Sequence, residues 1–197
     1  MLITRIIKRE KSSKYDVFID GEYAFTCDVE TFFMLGIEEG KEITNEQYKY
    51  YVNYIEAKEA KNHAFRLLSR KMLTEKQLAD KLKLKGFSEE AIGEAVSKAK
   101  EYDYVNDENY AKFFVEEKMQ SLYSRRRIYY ELLKRGVEKE IIEKVLESIY
   151  PHEKEVEVIR QIVEKKKNSH REIQKLKKYL YTNGFEIENI EKALNLT

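Results

Sequence analysis

Leu82-Lys83-Leu84-Lys85-Gly86-Phe87, Leu132-Leu133-Lys134-Arg135-Gly136-Val137 and Leu180-Tyr181-Thr182-Asn183-Gly184-Phe185 write one phrase three times, a glycine four residues after a leucine and one before an apolar residue. Eight residues before each glycine stand Leu78, Ile128 and Leu176; six after it stand Ile92, Ile142 and Ile190; ten after it stand Val96, Leu146 and Leu194. Five matched positions in three copies, 50 and 48 residues apart, specify a repeat architecture. The search for function therefore turns from an active site to a surface.

Each copy reads as helix, glycine turn, helix. The apolar pairs Leu78 and Leu82, Ile128 and Leu132, Leu176 and Leu180 form one helical stripe, and the glycine follows where a C-cap needs positive φ. Ser88 before Glu89 and Glu90 is an N-cap with acids in the first turn. Thr74 with Gln77 reads as a capping box for the helix before the turn, and Ser124 is the N-cap candidate at the same place in the second copy. A period near 48 residues exceeds the ~34 of common two-helix repeats and leaves room for a third helix. The expected fold is mainly α, an elongated curved array of tandem three-helix repeats at 61–108, 109–155 and 156–197. Tyr104 and Tyr110 flank Asn106 and Asp107, whose amide and carboxylate are expected to cap the following helix.

Residues 1–60 differ in kind. Ile3 to Lys8, Tyr15 to Asp20 and Tyr23 to Cys27 are β-branched or aromatic runs, with a tight turn around Asp20-Gly21-Glu22. Tyr15, Val17 and Ile19 should share one face of a small antiparallel sheet, as should Tyr23, Phe25 and Cys27. Val29 to Leu35 follows as a short helix ending at Gly36, and a long helix starts near Thr44 or Asn45, striped by Tyr48, Tyr51, Val52 and Ile55. Its later residues Ala57, Ala60, Ala64, Leu67 and Leu68 keep helical spacing into the first repeat.

Composition excludes several classes. Charged residues are 37% of the chain, proline occurs once (Pro151) and glycine seven times, which suits a helix-rich body. No apolar run approaches the ~20 residues of a membrane span, and no signal-peptide pattern opens the chain, so a cytoplasmic protein is expected. Cys27 is the single cysteine; His63, His152 and His170 stand apart; no Cys/His spacing suits a metal and none is expected. There is no phosphate-binding glycine loop and no nucleophile motif, so no catalytic residue and no cofactor are assigned.

Charge is balanced overall at +1 but uneven along the chain: residues 1–60 carry 8 basic and 12 acidic side chains, residues 156–197 carry 9 and 6. The cations gather in Arg125, Arg126, Arg127, Lys134 and Arg135, and again in Lys165, Lys166, Lys167, Arg171, Lys175, Lys177 and Lys178. Acids collect on the third helix of a unit, as in Glu138, Glu140, Glu143 and Glu147, so that one ridge of the array would be basic and another acidic.

Gln77-Leu78-Ala79-Asp80-Lys81-Leu82 through Gly86-Phe87-Ser88-Glu89-Glu90-Ala91-Ile92, Tyr104-Val105-Asn106-Asp107-Glu108-Asn109-Tyr110-Ala111, and Arg127-Ile128 through Gly136-Val137 resemble the RecX family of recombinase regulators. The resemblance covers residues 60–197, and the first segment resembles the extension on members from low-GC Gram-positive bacteria. It implies tandem three-helix repeats that bind the RecA filament and modulate its recombination and ATP hydrolysis without catalysis of their own. The chain departs from the family pattern where Arg70 leads through Lys71-Met72-Leu73 to Thr74-Glu75, in place of an arginine, proline and second arginine. It departs again at Tyr123-Ser124, in place of Gly-Pro. The expected partner surface is Arg125, Arg126, Arg127, Lys134, Arg135, Lys165, Lys166, Lys167, Arg171, Lys175 and Lys178, set against the acidic filament or the DNA phosphates within it. A monomer suits such a role. The alternatives are a direct DNA-binding helix-turn-helix protein, for which the pI of 7.7 is low, and a helical-repeat scaffold for another partner.

Overall fold

The computed structural model describes residues 1–10, 12–166 and 170–194, the side chains of Lys166, His170, Arg171 and Glu172 excepted. Strands β1 (Ile3–Lys8), β2 (Lys14–Ile19) and β3 (Glu22–Asp28) precede helices α1 (Val29–Met34), α2 (Asn45–Leu68), α3 (Glu75–Leu84), α4 (Glu89–Glu101) and α5 (Asp107–Gln120). Then come α6 (Arg125–Lys134), α7 (Lys139–Ile149), α8 (His152–Lys166), α9 (His170–Thr182) and α10 (Ile187–Ala193). The fold is mainly α, with helices in threes and a small antiparallel sheet at the amino end. No helix among the described residues is long and apolar enough to cross a membrane. The chain forms two compact units, Met1–Arg66 with Leu82–Ala99, and Leu67–Lys81 with Lys100–Thr197.

In the first unit the sheet order is β1-β2-β3. Asp20 and Gly21 both take positive φ, 50° and 88°, so the two-residue turn twists with its strands. Val17 pairs with Phe25 but Phe18 pairs with Tyr23, leaving Ala24 as the extra residue of a bulge. That bulge overturns one expectation: beyond it the alternation inverts, so Phe25 and Cys27 are buried while Tyr23 is 58% exposed and lies edge-on to Phe18. Ile3, Val17, Phe25, Leu35, Ile37, Ile43, Tyr51 and Ile55 form the core where the sheet meets α1 and α2. A reciprocal box starts α2: the Thr44 amide donates to Gln47 Oε1 (2.9 Å) and the Gln47 amide to Thr44 Oγ1 (3.2 Å).

In the second unit the core runs without a break through α5 to α10, from Ala111, Phe114 and Val115 by way of Ile128, Leu132, Ile142 and Tyr150 to Ile159, Leu180 and Ile190. The matched positions Leu78, Leu82, Ile128, Leu132, Ile142 and Leu180 are completely buried. Leu176 and Leu194 are only partly so. First and third helices of each group pack together, α5 on α7 and α8 on α10. The capping box expected at Thr74 and Gln77 is present, with the Thr74 amide 3.3 Å from Gln77 Oε1 and the Gln77 amide 3.1 Å from Thr74 Oγ1.

Candidate partner surface

Helix α6 begins against the usual rule. Its first three residues are Arg125, Arg126 and Arg127, and no acid stands in its first turn, although the N-terminus of a helix already carries partial positive charge. Three cations there cost stability, and such local conflicts concentrate where a surface has another task. Ser124 holds the start in place by accepting the Arg127 amide at 3.3 Å.

The three arginines then part, because successive helical residues point about 100° apart. Arg125 turns inward and its side chain is only 14% exposed. Its guanidinium donates to the carbonyls of Leu146 and Tyr150 and pairs with Glu147, closing the C-terminus of α7. Arg126 and Arg127 stay exposed. Arg126 lies over the Tyr130 ring, 5.9 Å from its centre, and Arg127 over Tyr123 at 3.7 Å. Glu131 pairs with Arg127 and Arg135, each at 3.4 Å, and fixes both arms along the helix. Arg135 folds onto Phe114 at 4.4 Å and donates to the Glu131 carbonyl at 2.7 Å.

Between α6 and the end of α9 opens a groove of about 860 Å³, lined by Arg126, Arg127, Tyr130 and Lys134 on one side and Tyr181 and Asn183 on the other. A neighbouring hollow of about 200 Å³ shares Arg127 and Asn183 and adds Tyr123, Lys165 and Tyr179. The structure thus brings Arg126, Arg127, Lys134 and Lys165 together. Arg125 and Arg135 serve the packing of their own unit, and Lys175 and Lys178 are exposed on α9 outside both hollows. Lys167 lies outside the described residues, as do the side chains of Lys166 and Arg171.

What seats this groove is a junction that occurs twice. The Thr74 hydroxyl donates to the carbonyl of Arg135 at 2.6 Å, and the Ser124 hydroxyl to the carbonyl of Asn183 at 2.7 Å. The Glu75 amide donates to Asp107 Oδ1 at 2.9 Å, and the Arg125 amide to Glu155 Oε1 at 2.8 Å. Each time an N-cap hydroxyl reaches the carbonyl beside the next copy's glycine, and the first helical amide finds a buried carboxylate on the next copy's first helix. Gly136 and Gly184, at φ 88° and 87°, are needed for space as well. A Cβ on Gly136 would sit 2.5 Å from Lys76 Cβ, and one on Gly184 2.9 Å from Ser124 Oγ. Burial, then the nearby Glu75 and Glu138, push the Asp107 carboxyl above its ordinary range, against the pull of the Glu75 amide and Lys100. Burial likewise raises Glu155.

Asp107 corrects an expectation, since Asn106 alone caps α5 by accepting the Asn109 amide at 3.0 Å and Asp107 serves α3 instead. The signal was in the sequence as a hydroxyl 12 residues before one glycine and an acid 29 before the next. His152, Glu155 and Glu186 place ligand-type atoms within 4.8 Å of one another. Glu155 is consumed there by the Arg125 amide and by Asn189 Nδ2 at 2.7 Å, and the N-termini of α8 and α10 converge on the spot, which opposes a cation.

Comparison with known proteins matches residues 1–44 to the regulatory protein RecX N-terminal domain, 60–98 to the first RecX three-helix domain and 106–146 to the second. Regulatory protein RecX of Caldanaerobacter subterraneus subsp. tengcongensis is 99% identical over 197 residues and the full length of both chains. That of Clostridium beijerinckii is 32% identical over 190 residues, 92% of this chain and 88% of the relative. Among solved structures, a regulatory protein RecX superposes with a TM-score of 0.74 at 22% identity over 98% of both chains. RecX from Lactobacillus salivarius gives 0.67 at 28% identity, over 72% of this chain and 96% of that one.

Proposed function

Because the chain belongs to the RecX family, we propose that it is a non-enzymatic regulator that binds the RecA recombinase filament in its helical groove and mostly inhibits strand exchange and ATP hydrolysis. Recombinational DNA repair is the process it tunes. The carrying observation is the groove beside α6, where Arg126, Arg127 and Lys134 face solvent between Tyr130 and Tyr181 although the helix dipole disfavours two of those charges. Cations kept there against their local cost suit an acidic protein surface or the DNA phosphates within the filament. Lys165, Lys175 and Lys178 extend the same charge along α8 and α9. Tandem copies add avidity, since a second contact on a repeating filament is effectively intramolecular. A regulator held this way blocks the path of the second DNA strand and resists the subunit motions coupled to ATP turnover.

The test is the variant Arg126→Glu/Arg127→Glu/Lys134→Glu, checked for native helix content and assayed for inhibition of RecA strand exchange. Three exposed charges reversed at ~0.5–1 kcal/mol each should raise the half-inhibiting concentration at least about tenfold. Inhibition at the unchanged concentration would sink the reading. Gel shifts separate the alternatives: binding that requires the filament supports it, whereas equal binding to naked DNA at physiological salt would favour direct DNA recognition through the exposed Tyr130 and Tyr181.

A further inference from the structure

Helix α5 closes with the same turn as the helices that end at Gly86, Gly136 and Gly184, except that a leucine stands in the place of glycine. The Leu122 amide donates to the Met119 carbonyl at 2.9 Å and the Tyr123 amide to that of Lys118 at 3.0 Å, a pattern that puts Leu122 in the left-handed region at φ 60°. A bulky residue takes that conformation at a cost that glycine avoids. Leu122 packs partly against the core and also lines the hollow of about 200 Å³ that adjoins the α6 groove. Backbone strain of this kind gathers where a site needs a particular side chain.

The hollow is built from two kinds of residue. Leu122, Ile162 and Phe185 give it apolar lining, the last two at 6% and 3% exposure. Arg127 and Lys165 give it charge, and no acidic side chain lines it among the described residues. Glu131 is shared at 3.4 Å between Arg127 and Arg135, so one positive charge is left over, and Lys165 has no ion-pair partner among the described residues. At about 200 Å³ the hollow is smaller than the ~300–1,000 Å³ of pockets that take a whole small molecule. It suits one side chain.

We propose that this hollow anchors a single apolar side chain, aromatic or branched, of an acidic protein segment whose flanking carboxylates meet Arg127 and Lys165. On the filament reading, from which this follows, the partner met at the hollow is an acidic protein surface and not DNA phosphate. An apolar residue seated in a desolvated pocket with a charged rim is how a few positions come to dominate an interface. The wider groove beside it, with Arg126 and Lys134, continues the positive surface along the rest of such a segment.

Two peptides separate the anchor from the charge, Glu-Asp-Phe-Glu-Asp and Glu-Asp-Ala-Glu-Asp, each titrated into the full chain and followed by NMR at the methyl groups of Ile162. Loss of the ring should raise the midpoint at least about tenfold, the effect of burying one large apolar side chain. Arg127→Gln/Lys165→Gln should weaken both peptides together, and Leu122→Gly should erase most of the difference between them. Glycine suits the left-handed position, so that loss should come without a matching fall in the urea midpoint; a matching fall would mark Leu122 as a core residue alone and overturn the proposal. Equal midpoints for the two peptides overturn it as well, as do a difference undiminished in Leu122→Gly and a charge variant that binds both peptides like wild type. A thymidine oligonucleotide that shifts Ile162 at a lower charge concentration than the phenylalanine peptide would assign the hollow to nucleic acid instead. No recombinase is present in these titrations, so their failure leaves the strand-exchange assay to judge the filament reading separately.

Discussion

Gly86 and Gly136 occupy the same place in two copies of one phrase, at φ 93° and 88°, yet they answer to different constraints. A Cβ on Gly86 meets nothing within 4 Å, whereas one on Gly136 would stand 2.5 Å from Lys76. Gly86→Ala should therefore cost only the left-handed strain, ~1–2 kcal/mol, and Gly136→Ala that strain plus overpacking of a further ~1–3 kcal/mol. Urea unfolding of the two variants checks this, and equal losses would mean that the close approach relaxes freely. The capping glycine was legible because a helix end is a local matter. The approach of Lys76 was not, since 60 residues separate it from Gly136. The same limit governs the arginine run: adjacent residues read alike, and only the neighbouring α7 shows that Arg125 is spent on the Leu146 and Tyr150 carbonyls.

At the scale of elements, the start of a helix here is stabilised by another element's acid. Asp107, the first residue of α5, accepts the first amide of α3. Asp107→Asn keeps that accepting oxygen and removes the ionisation. Because the folded carboxyl titrates above its ordinary range, the native state holds this proton longer than the unfolded chain does. Wild-type stability from this group is then fully present below the ordinary carboxylate range and is lost as pH rises through the raised value. The variant should match wild type at acid pH and gain on it towards neutrality, as urea midpoints across that range will show; a constant difference would contradict the raised titration. Helices and caps such as Thr74 with Gln77 were readable from spacing. The bulge at Ala24 that turns Tyr23 outward was not, because register depends on the pairing of two strands.

At the scale of the whole molecule, the junction chemistry is present where copies meet and missing at the outer positions. Twelve residues before Gly184, where Thr74 and Ser124 stand in the earlier copies, is Glu172; 29 before Gly86, where Asp107 and Glu155 stand in the later ones, is Ala57. One chain thus lacks the hydroxyl to offer, and a second lacks the acid to receive, in any head-to-tail continuation. Sedimentation equilibrium should return a monomer of 23.6 kDa, and a concentration-dependent series of oligomers would refute this. Such a monomer is the form that the filament reading uses.

The sequence by itself determined the helical phrase, its three copies, the amino-terminal hairpin and the places where cations cluster, because periodicity, caps and turns act over a few residues. The tertiary structure alone decided which cations face a groove and which close a helix end, and why two glycines tolerate no side chain. It also decided that a carboxylate expected to cap its own helix caps another. Those are outcomes of approach between segments some 20–60 residues apart, where the direction of each side chain is set by what packs against it.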